Sequence, residues 1–235
     1  MTKEYYVESA DSEVSIARRK GTRSLRLSVR SDGRIRLTIP YGVTERYAIR
    51  FLEEKSDWIR KHKKHIVPLR NGQHVGKSYR LYITQGDYDS VKTRIKHNEI
   101  HIKIPVSEHE TTSTVQAKIQ IAAEKALKAE AARLLPQRLD FLSDKYNLPY
   151  KSVTIKKLKS RWGSCDTHNN IALNTYLTQL DWKLIDYVLL HELVHTEHKH
   201  HQIDFWNQLE QLLPDYKERR RELKTKPTNV IATNF

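Results

Sequence analysis

The segment His191-Glu192-Leu193-Val194-His195 has the residue types and spacing of a metal-dependent hydrolase. Histidines at positions i and i+4 lie on one face of a helix, so both imidazoles can bind one ion. Glu192 points about 100° away around the helix, where it can act as general base towards a metal-bound water without being a ligand. The helix is otherwise apolar on all sides and should be buried, and buried charged groups need a partner. A metal ion supplies that partner.

A catalytic zinc usually has three protein ligands and one open position. Spacing favours His201 as the third ligand, and His198 and His200 are competing candidates. The spacing from His195 to His201 equals that of the metzincin signature, in which the chain turns at a glycine after the helix. His198 stands at that turn, and histidine tolerates a left-handed backbone better than most residues. We therefore expect one Zn²⁺ on His191, His195 and His201, with other divalent metals as alternatives.

A second candidate segment is Arg161-Trp162-Gly163-Ser164-Cys165, which we predict to be a Gly-Ser loop. Beside a zincin-type metal, a strand edge pairs with an extended substrate through backbone hydrogen bonds. Trp162 could wall the cleft, and Gly163 would let a backbone approach closely; equally, Trp162 could be core and Gly163-Ser164 a plain turn. Arg161, Trp162, Gly163 and Ser164 are therefore candidate substrate-binding residues, and Cys165 is expected to be a buried small residue.

The elements that position these residues occupy the second half of the chain. Residues 112–146 are helical by composition, and Pro136 is expected to kink or divide that helix. Alternation predicts strands at 151–158 and 170–174. Thr178-Gln179-Leu180-Asp181 has the form of a capping box that opens the motif helix. A further helix follows His201 and ends at Pro214, and residues 217–226 form a basic tail.

The first half alternates between apolar and polar residues and contains two similar segments. Strands at 24–30 and 34–39 flank a turn at 31–33, and Thr44 is the predicted N-cap of a helix from about 45 to 65. Ile35-x-Leu37-x-Ile39-Pro40 matches Ile100-x-Ile102-x-Ile104-Pro105, and each copy leads into a helix. We therefore predict an α+β fold: a β-rich, mainly antiparallel domain at 1–110 built from repeated strand–strand–helix units, and a helical catalytic domain with a short sheet at 111–235.

Composition limits the classes of protein further. The 235 residues carry 42 Lys+Arg and 28 Asp+Glu, a net charge of +14. This charge favours anionic partners such as nucleotides or nucleic acid, although a solvated basic surface is equally compatible. The single Cys165 excludes an intrachain disulfide. The longest apolar stretch, at 184–194, is too short to span a bilayer, and the N-terminus does not resemble a signal peptide. We expect a cytoplasmic protein with no membrane partner.

Several motifs together resemble the YgjP-like metallopeptidase-domain family, which is related to SprT-like and other gluzincin-type zincins. They are the 161–165 segment, Ile171-Ala172-Leu173-Asn174, residues 185–195, His201 and Phe205-Trp206, and the likeness extends from the N-terminal sheet to about Arg220. The resemblance implies a zincin-like catalytic half, a metal on His191, His195 and His201, and Glu192 as base. The chain has His200 where the family usually has Asn, and Asn174-Thr175-Tyr176-Leu177 where Asn-Trp-Arg-Leu is common; these differences concern substrate contacts.

The leading functional hypothesis is a zinc-dependent metallopeptidase that acts on a peptide or protein, with Tyr176, Tyr187 or a further histidine as oxyanion donor. A nucleotide phosphohydrolase is an alternative that suits the net charge, but the sequence has no Walker-type Gly-Lys loop and no carboxylate cluster for Mg²⁺. A nucleic-acid-associated SprT-like protease is a third hypothesis, by analogy alone. Basic runs at 18–20, 61–64 and 219–221 are typical of solvated faces.

Overall fold

The computed structural model describes residues 2–10, 12–29, 35–62 and 68–228. The chain divides between residues 67 and 68 into two units, each with its own hydrophobic core. The helices are α1 (Glu45–Glu54), α2 (Ser56–His62), α3 (Ser113–Tyr146), α4 (Trp182–Val194), α5 (Ile203–Leu212) and α6 (Tyr216–Thr225). The strands are β1 (Thr2–Val7), β2 (Ser12–Arg18), β3 (Arg26–Val29), β4 (Ile35–Ile39), β5 (His74–Val75), β6 (Tyr79–Gly86), β7 (Lys92–Lys96), β8 (Glu99–Pro105), β9 (Ser152–Lys156), β10 (Gly163–Cys165) and β11 (Asn170–Asn174).

The first unit is a four-stranded sheet in the order β1-β2-β4-β3, followed by α1 and α2. Alternate residues of β4 are buried against apolar residues of both helices. Thr44 caps α1 as predicted, because its side chain accepts a hydrogen bond from the Tyr47 N–H at 3.3 Å. The predicted helix over 45–65 is two helices separated at Lys55 as far as residue 62, and residues 63–65 lie outside the described residues. The predicted turn at 31–33 lies outside the described residues.

The second unit contains a sheet with the same arrangement, in the order β5-β6-β8-β7. In both sheets the two central strands are parallel and the outer pairs are antiparallel. The expectation of mainly antiparallel pairing is therefore confirmed, and the parallel pair at the centre of each sheet is an addition to it. The parallel pairs arise because β4 and β8 each insert between the two strands that precede them in sequence, instead of pairing only with the nearest strand.

The 34-residue helix α3 packs on this second sheet and shares its core. Ile100 and Ile102 of β8 and Val115 and Ile119 of α3 are fully buried in that one cluster. This shared core places the division between the units at residues 67 and 68, whereas the sequence analysis placed a boundary near residue 110. Pro136 lies inside α3 and does not divide it, contrary to one of the predicted outcomes.

A small sheet in the order β10-β11-β9 lies in the same unit. Its segment 163–165, predicted to be a loop, is an edge strand antiparallel to β11. The motif helix α4 begins after Asp181, whose side chain makes no capping hydrogen bond. Thr178 lies in a short 3-10 helix with its hydroxyl buried, so the predicted capping box is wrong. In the described ranges, none of the helices has the length and apolar character required to cross a bilayer.

Candidate metal centre

Three imidazoles converge at the C-terminal end of α4. The Nε2 atom of His201 lies 3.0 Å from that of His191 and 3.1 Å from that of His195. One ligand nitrogen from each of the three residues falls within 4.8 Å of the other two. His198 and His200, the competing candidates, are not members of this cluster. The arrangement is one in which three nitrogens can bind a single ion from one side.

The helix that supplies two of these histidines is held rigidly in the core. Beyond the exposed Trp182 at its start, the apolar side chains of α4 are buried on all faces, as its sequence predicts. Asp186 of α4 accepts two hydrogen bonds, at 2.8 and 2.7 Å, from the guanidinium of Arg138 in α3. Such a bidentate pair fixes orientation as well as distance. The positions of His191 and His195 are therefore set by the packing of α4 against α3.

His201 reaches the site because the segment after α4 is anchored at several points. Lys199 donates to the carbonyl of Asp166, at 3.0 Å, and to the side chain of Asn169. The indole N–H of Trp206 donates to the carbonyl of His201 at 3.1 Å. His198 does not adopt the left-handed backbone that a glycine at this turn would suggest. The turn is thus made without a strained residue.

The second nitrogen of His195 determines its tautomer. Nδ1 lies 2.8 Å from the backbone carbonyl of His198, which can only accept, so Nδ1 carries the proton and Nε2 presents its lone pair. Burial lowers the pKa of His195 and of His201, and burial together with the other two histidines and Arg220 lowers the pKa of His191 to about 3. All three imidazoles are therefore neutral near pH 7, the form that a divalent ion requires.

Glu192 is buried beside this cluster, with only 5% of its surface exposed. Its Oε2 atom is buried and, among the described residues, makes no hydrogen bond; the same holds for Nδ1 of His191. Burial raises the pKa of Glu192 to about 8, and the positive charge of Arg161 opposes that rise. An orphaned carboxylate beside three neutral imidazoles fits a bound divalent cation, whose charge would favour the ionised form.

Strand β10 lies directly against Glu192. A Cβ atom placed on Gly163 would come within 2.6 Å of Oε1 and 2.7 Å of Cγ of Glu192. Asn174 fixes the segment that leads into this strand. Its buried side-chain amide donates to the carbonyls of Leu158 and Arg161, and its backbone N–H donates to the carbonyl of Trp162. β10 pairs only on its β11 side within the described residues, so its other edge is free to pair with an extended chain.

The remaining candidate residues of this segment have different environments. Trp162 belongs to the core and is 8% exposed, whereas Arg161 is exposed and Ser164 is half-buried in β10. Cys165 is also half-buried, 3.9 Å from the Lys199 ammonium group, and burial raises its thiol pKa. It is not part of the histidine cluster. Of the two interpretations of Trp162, the structure agrees with the core residue.

Aromatic residues of α5 support the histidines from one side. The Phe205 ring, fully buried, lies 4.5 to 4.9 Å from each of the three imidazole rings. The Trp206 ring is stacked on His201 at 5.4 Å, and the guanidinium of Arg220 lies 4.6 Å from the Trp206 ring centroid. Arg220 belongs to the basic run 219–221, which was expected to be a solvated face. The one signal in the sequence was its i, i+4 spacing from Tyr216, whose ring also stacks on Trp206.

Two tyrosines were candidate oxyanion donors, and they lie in different places. The Tyr176 hydroxyl donates to Glu124 at 2.8 Å and is engaged in the core. The Tyr187 ring lies 5.9 Å from that of His191. Burial raises the pKa of Tyr187 to about 12, and the charge of Arg220 opposes that rise. Tyr187 therefore keeps its proton and is near the histidine cluster.

The model of the YgjP-like, metallopeptidase domain family matches residues 23–226, most of the chain. The chain belongs to this family. Membership in the YgjP-like family supports a metal-dependent peptidase, and the histidine cluster is a place where the metal can bind. No curated protein has significant sequence similarity to this chain.

Two solved structures are similar to part of this YgjP-like protein. One is the metallopeptidase zymogen abylysin of Pyrococcus abyssi, which is 24% identical over 42% of this chain and 100% of its own, with a TM-score of 0.37. The other is the metallopeptidase zymogen jannalysin of Methanocaldococcus jannaschii, 23% identical over 39% of this chain and 94% of its own, with a TM-score of 0.35.

Proposed function

We propose that this protein is a zinc-dependent metallopeptidase whose ion is held by His191, His195 and His201. The observation that carries the proposal is the convergence of three Nε2 atoms, two of them 3.0 and 3.1 Å from the third, beside the buried carboxylate of Glu192. Three neutral imidazoles are a donor set typical of catalytic zinc, and other divalent metals remain alternatives.

Glu192 is the proposed general base. An ion held by the three histidines would polarise the scissile carbonyl and lower the pKa of the attacking water. Glu192 accepts a proton from that water and delivers it to the leaving amine. Its buried position excludes bulk solvent, and Gly163 leaves the space that its carboxylate occupies. Removal of this base therefore acts on the chemical step and not on metal retention.

The free edge of β10 is the proposed binding site for an extended peptide. A substrate strand that pairs with Gly163, Ser164 and Cys165 would pass next to Glu192, because β10 lies against that side chain. Arg161 is exposed at the start of this edge and can contact the substrate. Trp162 supports the strand from the core side. The backbone of β10 thus supplies affinity without sequence preference.

Tyr187 and Arg220 are the proposed stabilisers of the developing oxyanion. Tyr187 stays protonated near neutral pH and can donate, while Arg220 is a cation held over Trp206 beside His201. Donors held in position before the reaction stabilise charge that develops in the transition state. Arg220 also gives the phosphohydrolase alternative a specific basis, since a cation next to the ion would suit a phosphate group equally well.

The experiment that tests the proposed function compares substrates in one preparation. Untagged protein should contain about one zinc per chain, hydrolyse a casein-derived peptide mixture, lose that activity with EDTA and regain it with Zn²⁺. Nucleoside triphosphates are the matched substrates for the alternative. Hydrolysis of triphosphates but not of peptides would favour the phosphohydrolase over the peptidase. Purified protein that contains no metal and hydrolyses neither substrate would contradict the proposed function.

We also propose a zincin-like arrangement for the catalytic half and an origin of the two sheets as repeated units. The shared strand order β1-β2-β4-β3 and β5-β6-β8-β7, each followed by a helix, supports the second of these proposals. A cytoplasmic location and an SprT-like role near nucleic acid stay predictions from the sequence.

A further inference from the structure

A groove of about 380 Å³ lies on the solvent face of the sheet in the second unit, outside the metal centre. It is lined by residues of β7 and β8 and of the turn between them. Four cationic side chains, two histidines and one carboxylate border it. The four cations are Lys92, Arg94, Lys96 and Lys103, and His101 and Glu99 lie among them. The groove is therefore strongly positive.

Strand register places these side chains on one face. Lys92 of β7 is directly opposite Lys103 of β8, and Arg94 is opposite His101. Ile100 and Ile102 of β8 are fully buried, so the residues between them face solvent. Lys92, Arg94 and Lys96 alternate along one strand and are about 7 Å apart, in a straight row.

Lys92 and Arg94 have no carboxylate opposite them in the strand register, whereas Lys96 is opposite Glu99. Glu99 accepts from His101 Nε2 at 2.8 Å and is engaged there. Among the described residues, Lys92, Arg94 and Lys96 have no ion pair. Like charges placed side by side on a sheet destabilise it. An anionic partner that lies along the row would relieve this repulsion.

Aromatic rings adjoin the cationic row. Tyr82 of β6 pairs in register with His101, and the two rings are stacked at 5.5 Å with an angle of 18° between their planes. The Lys103 ammonium group lies 5.3 Å from the Tyr88 ring centroid. A positively charged groove combined with aromatic side chains is how proteins bind single-stranded nucleic acid, with phosphates on the cations and bases on the rings.

The sheet of the first unit offers an internal comparison. Its strands β3 and β4 have the same pairing as β7 and β8. At the positions that correspond to Arg94 and Lys103, the first sheet has Ser28 and Thr38, whereas Arg26 and Arg36 stand at the positions of Lys92 and His101. The fold itself therefore does not require cations at Arg94 and Lys103, and these two charges distinguish the second sheet.

We propose that the solvent face of β6, β7 and β8 binds single-stranded nucleic acid through phosphate contacts to Lys92, Arg94, Lys96 and Lys103 and base stacking near Tyr82. This site is separate from the residues of the proposed peptidase. It gives the enzyme a surface on which a nucleic acid, or a protein bound to one, would be held.

The test is fluorescence anisotropy with a labelled oligothymidylate of about 15 nucleotides, titrated between about 50 and 200 mM salt. The triple variant K92Q/R94Q/K103Q should bind at least tenfold more weakly. The slope of log K against log salt should fall by about 2, since each phosphate contact on a single strand contributes about 0.7. Tyr82→Ala should weaken binding about fivefold or more, the lower range of base stacking.

Arg26→Gln is the matched control, because Arg26 is exposed at the position of the first sheet that corresponds to Lys92. It should leave affinity and slope unchanged. Zinc content and peptide hydrolysis of the triple variant should equal those of the wild type, which separates this proposal from the peptidase. Unchanged affinity in the triple variant would overturn the proposal. If inorganic polyphosphate binds equally well and Tyr82→Ala has no effect, the groove binds polyanions in general, and this result would also overturn the proposal.

Discussion

Gly163 of β10 and Glu192 of α4 are in such close contact that no side chain fits between them: a Cβ on Gly163 would lie 2.6 Å from Oε1 of Glu192. Contacts under about 3 Å between carbon and oxygen require one group to move. Glu192 is buried and has little room to adjust. The glycine is thus tied to the position of the proposed base.

Gly163→Ala should lower peptide hydrolysis by about tenfold or more, because misplacing a catalytic group by 1 Å can cost about 10² in rate. Zinc content should stay at the wild-type value, because the three atoms nearest to the new methyl group all belong to Glu192, which is not one of the proposed ligands. Steady-state kinetics and elemental analysis on one preparation check this. Ser164→Ala is the control on the same strand and should have a much smaller effect. Full activity in Gly163→Ala would contradict the role of the close contact.

Glu192→Gln keeps the shape of the side chain and removes its ability to accept a proton. We expect kcat to fall by about 10²–10⁴, the scale of general acid–base catalysis, with zinc content unchanged. The measurement is kcat beside metal content. Loss of zinc together with activity would make Glu192 a ligand, and full activity would remove it from the mechanism.

The histidine series identifies the third ligand. His201→Ala should lose zinc, as should His191→Ala and His195→Ala, because each removes one of the three converging nitrogens. His200→Ala and His198→Ala are the controls and should retain it, since their side chains are outside the cluster. Elemental analysis after dialysis measures all five. Retention of zinc in His201→Ala with loss in His200→Ala would contradict the assignment.

Arg220→Met should lower kcat by about 10-fold to 10³-fold while zinc is retained, if the guanidinium stabilises the oxyanion. Arg220 and its neighbour Arg221 are both exposed, but only Arg220 lies over Trp206 beside His201; Arg221 has no such contact among the described residues. Arg221→Met is therefore the matched control and should have nearly wild-type kcat. A change confined to KM would instead assign Arg220 to substrate binding.

The stability of the metal-free protein should depend on pH through Glu192. Its pKa rises from 4.5 to about 8 on folding, so the folded state holds a proton that the unfolded state releases between these values. The stabilising contribution of the protonated carboxyl is therefore present below about pH 4.5 and is lost as pH rises towards 8. Glu192→Gln cannot ionise, so its Tm relative to the wild type should increase from pH 5 to pH 8. Thermal unfolding in EDTA at both pH values measures this, and a constant difference would contradict it.

Local patterns were enough to predict the elements whose signals are short in range. The i, i+4 histidines on an apolar helix, the third histidine six residues later, the N-cap at Thr44 and the strands around Ile35 and Ile100 were all predicted from neighbouring residues, and the structure contains each of them. These features depend on helical periodicity, strand alternation and capping, which act over a few residues.

Only the tertiary structure decided how distant segments meet. The expectation that neighbouring strands pair predicts the antiparallel pairs, but not the parallel pairs that form because β4 and β8 insert between earlier strands. Arg220 of α6 lies over Trp206, which itself stacks on His201, and β10 is a strand only because it pairs with β11. Strand pairing and side-chain packing between residues far apart in sequence depend on the whole hydrophobic core. The spacing of the histidines along the chain was therefore enough to predict the candidate metal cluster, while the folded core determined which strand, glycine and arginine lie near it.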